Sequence, residues 1–161
     1  MIVAVSRERL FTGRVFDVVR EDGKDVVVHA PAVAVVALDA DDRVVLVRQP
    51  RAGARRQLLE LPAGILDEGE EPLAAARREL REETGLRGGE WQLLASFFTT
   101  PGFSDELMYV YLASGLDDGE PEPDDDEQLE VVRVPRSDVP ALIESVEDAK
   151  TLVGLLLLLR R

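Results

Sequence analysis

Residues 64–86 constrain this chain more than any other stretch, because they concentrate glutamate on what must be a helix. Pro72 suits a first helical position, where the amide has no intrahelical partner. Glu70 and Glu71 fall at the positive end of the helix dipole. Leu73, Ala76 and Leu80 recur along one face, and Gly85 supplies a stop. On such a helix Glu79 is three residues from Glu82 and four from Glu83, so three carboxylates crowd one face. Like charges at that spacing cost helix stability. A hard divalent cation would offset the cost, since an oxygen-only ligand set suits Mg²⁺ or Mn²⁺. So would solvation with partial pairing to Arg77, Arg78 and Arg81. Spacing alone leaves both readings open.

Around this helix the pattern is mainly β. Residues 32–38 are a continuous apolar run of strand length, as expected for a strand buried on both faces. Further strands are expected over 10–19, 26–28, 44–47, 58–61, 91–98, 107–112 and 129–134. Residues 48–57 are basic and aperiodic and read as a loop. Residues 117–127 hold eight acids and two prolines and read as another. Two helices are expected near 138–144 and 148–159. A mixed sheet with few helices suggests an α+β or α/β/α sandwich.

Composition then removes whole classes of chemistry. The chain has 161 residues, enough for one compact domain or one domain with a small extension. With no cysteine there are no disulfides, thiolate metal sites or thiol nucleophiles. The single histidine, His29, excludes a multi-histidine zinc site. A net charge of −13 should repel nucleic acid and anionic membrane. The longest apolar run, residues 155–159, is far short of the roughly 20 residues of a membrane span. With no signal peptide in view, a cytoplasmic protein is expected.

The full pattern across residues 64–86 is Gly64, five residues, Glu70, seven residues, Arg78-Glu79-Leu80, one residue, Glu82-Glu83, one residue, Gly85-Leu86. This resembles the Nudix box of the Nudix hydrolases at every defining position. Further likeness points to the family's ADP-ribose pyrophosphatase branch. Glu60-Leu61-Pro62-Ala63-Gly64 looks like the loop leading into its box. Pro101, 15 residues past Leu86, resembles its marker proline, and the run from Pro101 through Glu106 resembles the loop that follows. Val47-Arg48-Gln49 with Arg51, and Asp148-Ala149-Lys150-Thr151, resemble two more of its segments. Pro50 departs from the large residue usual there. The resemblance implies an α/β fold, a Nudix α/β/α sandwich with a mixed sheet and a short N-terminal antiparallel β extension. The extension would be residues 1–30, taking part in a homodimer, and the Nudix domain residues 31–161.

The implied activity is Mg²⁺-dependent hydrolysis of ADP-ribose to AMP and ribose 5-phosphate, with Mn²⁺ able to substitute. Alternatives are another nucleoside diphosphate sugar, such as a GDP-sugar, or a non-catalytic module that senses ADP-ribose. By resemblance, Glu79, Glu82 and Glu83 would hold the metal, with the Ala63 carbonyl as a further ligand. Arg78 would orient carboxylates, and Glu70 either orients or starts the helix. Arg51 would grip a phosphate with its fork, and Gly102, Phe103 and Glu106 would line the substrate site. The general base would be Glu127, ahead of Glu82 and then Glu106. Phe11 and Phe16 match no base-stacking position, so Val15, or Lys24 from a partner subunit, would line the site instead.

Overall fold

A computed structural model of the chain describes residues 6–122 and 129–161. Three strands come first, β1 (Arg7–Thr12), β2 (Phe16–Glu21) and β3 (Lys24–His29), and form an antiparallel meander. One strand was expected over 10–19, but the chain turns at Gly13, whose amide donates to the Phe16 carbonyl at 3.0 Å. A Cβ at Gly13 would sit 2.6 Å from that carbonyl oxygen, so the turn requires glycine.

The second sheet has seven strands. These are β4 (Ala32–Leu38), β5 (Arg43–Arg51), β6 (Arg56–Glu60), β7 (Ala63–Ile65), β8 (Arg87–Phe98), β9 (Leu107–Asp117) and β10 (Glu130–Pro135). The main order is β10-β5-β4-β9-β8, with β6 paired to β5 and β7 to β4. Only β4 and β9 run parallel, so the sheet is mixed. Residues 48–57, expected as a loop, are instead the tip of the β5–β6 hairpin, with Arg51 paired to Arg56. A strand ladder needs backbone groups, not apolar side chains. Here Gln49 alone of residues 48–57 is buried, and it is polar, so the apolar alternation that marks a strand in sequence is missing.

β4 explains the layering. All seven of its residues are buried, and successive side chains point to opposite faces. Ala32, Ala34, Val36 and Leu38 pack with Leu61, Val139, Leu155 and Leu158. Val33, Val35 and Ala37 pack with Ala75, Ala76 and Leu80. The first core lies under α2 (Val139–Ile143) and α3 (Ala149–Leu158), the second under α1 (Pro72–Thr84). The result is an α/β/α sandwich. Among the described residues no helix is long and apolar enough to cross a membrane.

At one point α3 lies so close to the sheet that it admits no side chain. A Cβ at Gly154 would overlap Leu61 Cδ1 and sit 3.0 Å from Val36 Cγ2. Gly154→Ala is therefore expected to cost about 1–3 kcal/mol, despite alanine's better helix propensity. Urea unfolding measures this, and an unchanged or raised midpoint would contradict it.

Candidate active site

α1 starts at Pro72 and stops at Gly85, which takes φ 77° and donates its amide to the Arg81 carbonyl at 2.8 Å. Ala75, Ala76 and Leu80 bury one face against the sheet, which fixes the azimuth of the glutamates. Glu83 is 3% exposed and accepts from the Ala63 amide at 3.1 Å, joining α1 to β7. Glu79 lies directly against Gly64, where a Cβ would fall inside its carboxylate.

Arg78 is the hub of the acidic face. Its Nη1 donates to Glu79 at 2.6 Å and to Glu82 at 3.2 Å. Its Nε and Nη2 donate to the two Glu70 oxygens at 3.1 and 2.9 Å, and Nη2 also reaches the Ile65 carbonyl at 3.0 Å. These bonds, Glu70's foremost, hold the guanidinium above its ordinary range despite partial burial. Hydrogen bonding from Arg78 in turn keeps the Glu70 carboxyl below the usual carboxylate range, against a smaller upward push from burial. Glu70 also accepts from the Asp67 amide at 3.0 Å. The N-cap is Glu71, with no side-chain cap, so the Glu70 carboxylate serves Arg78 and the loop rather than the helix start. Of the three arginines expected to pair with the face, Arg77 does not join it.

Three carboxylates thus surround one guanidinium, with Arg81 also reaching Glu82 at 3.2 Å. As arranged, no three acidic or histidine side chains among the described residues converge on one point. The chemistry of the donor set still fits a hard cation: every donor is oxygen, and negative charge is in excess. A divalent cation would compete with Arg78 for Glu79 and Glu82.

Beside Gly64 lies a cavity of about 290 Å³ bordered by Val15, His29, Arg51, Ala63, Glu106 and Lys150. Glu106 accepts from Thr99 Oγ1 at 2.6 Å and faces His29 Nδ1 at 3.6 Å. Arg51 is here, but its fork is already taken: Nε and Nη2 both donate to Glu60 at 2.8 Å, leaving Nη1. A bidentate grip on phosphate by Arg51 would require it to exchange these bonds to Glu60. Gly102 and Phe103 border a different hollow with Lys24, Val26 and Phe98. They lie apart from the other expected substrate residues because their loop is stitched to β3. The Val27 amide donates to the Phe103 carbonyl at 2.7 Å, and the Asp105 amide to the Val27 carbonyl at 3.1 Å. Glu127 lies outside the described residues. The loop before it is anchored at the helix, where the Glu122 amide donates to the Glu82 carbonyl at 2.9 Å.

A buried network assigned no role from sequence supports this cavity. Glu60, 1% exposed, receives both Arg51 and Lys150. Lys150 also donates to Asp148 at 2.9 Å. Asp148 caps α3 by accepting from the Thr151 amide at 2.9 Å, and the Thr151 hydroxyl accepts from the Leu61 amide at 2.8 Å. Glu60 and Lys150 are ninety positions apart, and only the fold brings them together.

A carboxylate-lined helix packed on one face of a mixed sheet, opened by a glycine that one of its glutamates requires, defines a type of site also met in other proteins. The chain belongs to the Nudix family, whose NUDIX domain model matches residues 28–154. It is 40% identical over 160 residues to an ADP-ribose pyrophosphatase of Bacillus subtilis, covering 91% of this chain and 86% of that protein. It is 48% identical over 129 residues to one of Mycobacterium tuberculosis, covering 73% of this chain and 62% of that protein. A solved structure described as an ADP compounds hydrolase superposes with a TM-score of 0.81 at 25% identity, covering 99% of this chain and 95% of that one.

The contact between Gly64 and Glu79 gives a direct test. Gly64→Ala must displace the Glu79 carboxylate, and a shift of about 1 Å at a reacting centre costs on the order of a hundredfold in rate. Turnover is expected to fall by about that factor while the melting temperature stays within a few degrees. Undiminished turnover would show that Glu79 is not held to its place by Gly64.

Proposed function

We propose that this protein hydrolyses ADP-ribose to AMP and ribose 5-phosphate in a reaction that depends on a divalent cation, Mg²⁺ in the first instance. The observation that carries this reading is the near full-length similarity to an ADP-ribose pyrophosphatase, joined to an acidic helix face beside a cavity. Glu79, Glu82 and Glu83, with the Ala63 carbonyl, would hold the cation. When bound, it neutralises pyrophosphate charge and makes water a better nucleophile. Arg78 fixes the azimuths of Glu70, Glu79 and Glu82 before substrate arrives, which lowers the reorganisation left for the reaction. The cavity beside Gly64 takes the substrate, with Glu106 and the free Nη1 of Arg51 on its wall. Gly102 and Phe103 would contact a more distant part of the substrate. Glu127 takes the proton from the attacking water. Glu82 is the next choice for that step and Glu106 the third.

The N-terminal segment, residues 1–30, would pair with a second copy through the meander of β1, β2 and β3. Leu10, Phe11, Val15 and Phe16 on it are all exposed, and burying such apolar surface favours association. The proposed location is the cytoplasm, with which a chain free of cysteine is compatible.

The test is release of AMP from ADP-ribose with Mg²⁺, against a chelated control. Metal-dependent release of both products supports the reading. A rise in melting temperature with ADP-ribose but no turnover would replace it with a sensor, and turnover of GDP-sugars alone would reassign the substrate. Glu127→Gln with near-normal turnover, beside an inactive Glu82→Gln, would move the base to Glu82.

A further inference from the structure

A second cavity, roomier than the one beside Gly64, is set apart from it. It lies on the outer side of α1, holds about 560 Å³, and is lined by Arg77, Arg78, Arg81, Arg87 and Trp91, with Gly88 and Gly89 at its edge. Four arginines around one hollow are out of keeping with a chain of net charge −13, in which 32 acids are available to pair with 19 bases.

Two of the four nevertheless have no acidic partner among the described residues. Arg77 makes no ion pair with any of them and holds its guanidinium 5.7 Å from the centre of the Trp91 ring. Arg87 makes none with them either, and its hydrogen bond among them is a 3.5 Å contact to the Gly85 carbonyl. Arg81 bonds Glu82, but its Nε is buried without a hydrogen-bond partner, 3.9 Å from the nearest Glu122 oxygen. Arg78 alone is fully committed, on the acidic face. Complementing the negative end of the α1 dipole accounts for Arg81, in the last turn. It does not account for Arg77, in the middle of the helix, nor for Arg87, beyond its end on β8. Guanidiniums that have no acidic partner among the described residues, gathered around one hollow of a carboxylate-rich protein, are suited to hold an anion.

We propose that this cavity binds an oligophosphate anion, gripped by Arg77, Arg81 and Arg87 over the floor formed by Ala74 and Trp91. The hollow is larger than one phosphate needs, and several guanidinium forks match a chain of phosphates better than a single carboxylate. The phosphate chain can be free or part of a nucleotide. The site is separate from the substrate cavity, so it stands or falls independently of ADP-ribose hydrolysis.

Trp91 is the only tryptophan, so intrinsic fluorescence reports from the cavity itself. Inorganic tripolyphosphate and ATP are titrated separately into the full-length protein with divalent metal chelated, so that the α1 glutamates cannot recruit phosphate. A saturable change in Trp91 emission is expected. Arg87→Ala, which leaves the Arg77–Trp91 pair in place, should weaken it roughly tenfold, and Arg77→Ala with Arg87→Ala should abolish it. Circular dichroism confirms that the variants are folded. Tighter binding of ATP than of tripolyphosphate would assign the site to nucleotides, with the base over the floor. Equal binding would assign it to the phosphate chain. A response no larger than that of sodium chloride at matched ionic strength, or one unaltered by Arg87→Ala, overturns the proposal.

Discussion

Glu83→Gln is expected to lower kcat for ADP-ribose about a thousandfold while leaving the fold intact. If Glu83 holds the cation as proposed, removing its charge withdraws several kcal/mol of transition-state stabilisation, and each 1.36 kcal/mol is a factor of ten. Glutamine is nearly isosteric with glutamate and keeps an acceptor oxygen for the Ala63 amide. The α1–β7 contact therefore survives, and the melting temperature should move by only a few degrees. Glu83→Ala is the companion variant. It removes the charge and also takes the acceptor from Ala63, at an added cost of about 1–3 kcal/mol in stability. If Glu83 serves catalysis through its charge, the two variants are equally inactive and differ only in stability. If Glu83 merely ties the helix to β7, the glutamine variant turns over normally and the alanine variant does not. Normal turnover in Glu83→Gln would remove this residue from the metal set.

How readable each part was in the sequence follows from where its information lies. β4 was plain because burial on both faces leaves an uninterrupted apolar run. α1 was plain because its side chains must recur at fixed spacing on one short element. The β5–β6 hairpin tip was not, since exposed basic residues there carry no trace of the ladder that joins them. The break of residues 7–21 into two strands, where one was expected over 10–19, depends on one glycine, and a turn of that size leaves little signal. In the site, the partners of Arg78 were accessible because Glu79 and Glu82 share its helix. The partner of Arg51 was not, because nothing near Glu60 in sequence says that Lys150 will arrive beside it on α3. Gly102 and Phe103 came into the expected site with Glu106 through the resemblance of the whole 101–106 run, and only the fold shows that the hydrogen bonds to Val27 set their part of it beside another hollow.

Glu60→Gln should be the most damaging change to stability, at about 3 kcal/mol, because it breaks a buried charge network from its centre. Glu60 is 1% exposed and Lys150 13%, while Arg51 keeps 41% exposure and can return to water. The loss therefore falls mainly on Lys150, left with Asp148 as its acidic partner among the described residues. Burial pushes the Glu60 carboxyl upward. Hydrogen bonds from Arg51 and the charge of Lys150 outweigh that push, so it sits below the ordinary 4.5 of a glutamate. A carboxyl lowered in the folded state adds stability that is present above its unfolded pKa and lost as pH falls through the folded one. Stability should accordingly fall as pH drops below about 4.5, and the Glu60→Gln variant should show a shallower acid limb. Urea unfolding at pH 7 and across the acid range measures both effects. The decisive comparison adds Lys150→Met to Glu60→Leu. With the charge and its partner removed together, the network is replaced by apolar packing, and the double variant should be more stable than Glu60→Leu alone. If the two losses simply add, Glu60 and Lys150 are not coupled. The same experiment tests what the network does for the cavity, because Glu60 spends two of the Arg51 donors. Freed of it, Arg51 loses its fixed orientation, and KM for ADP-ribose should rise more than kcat falls.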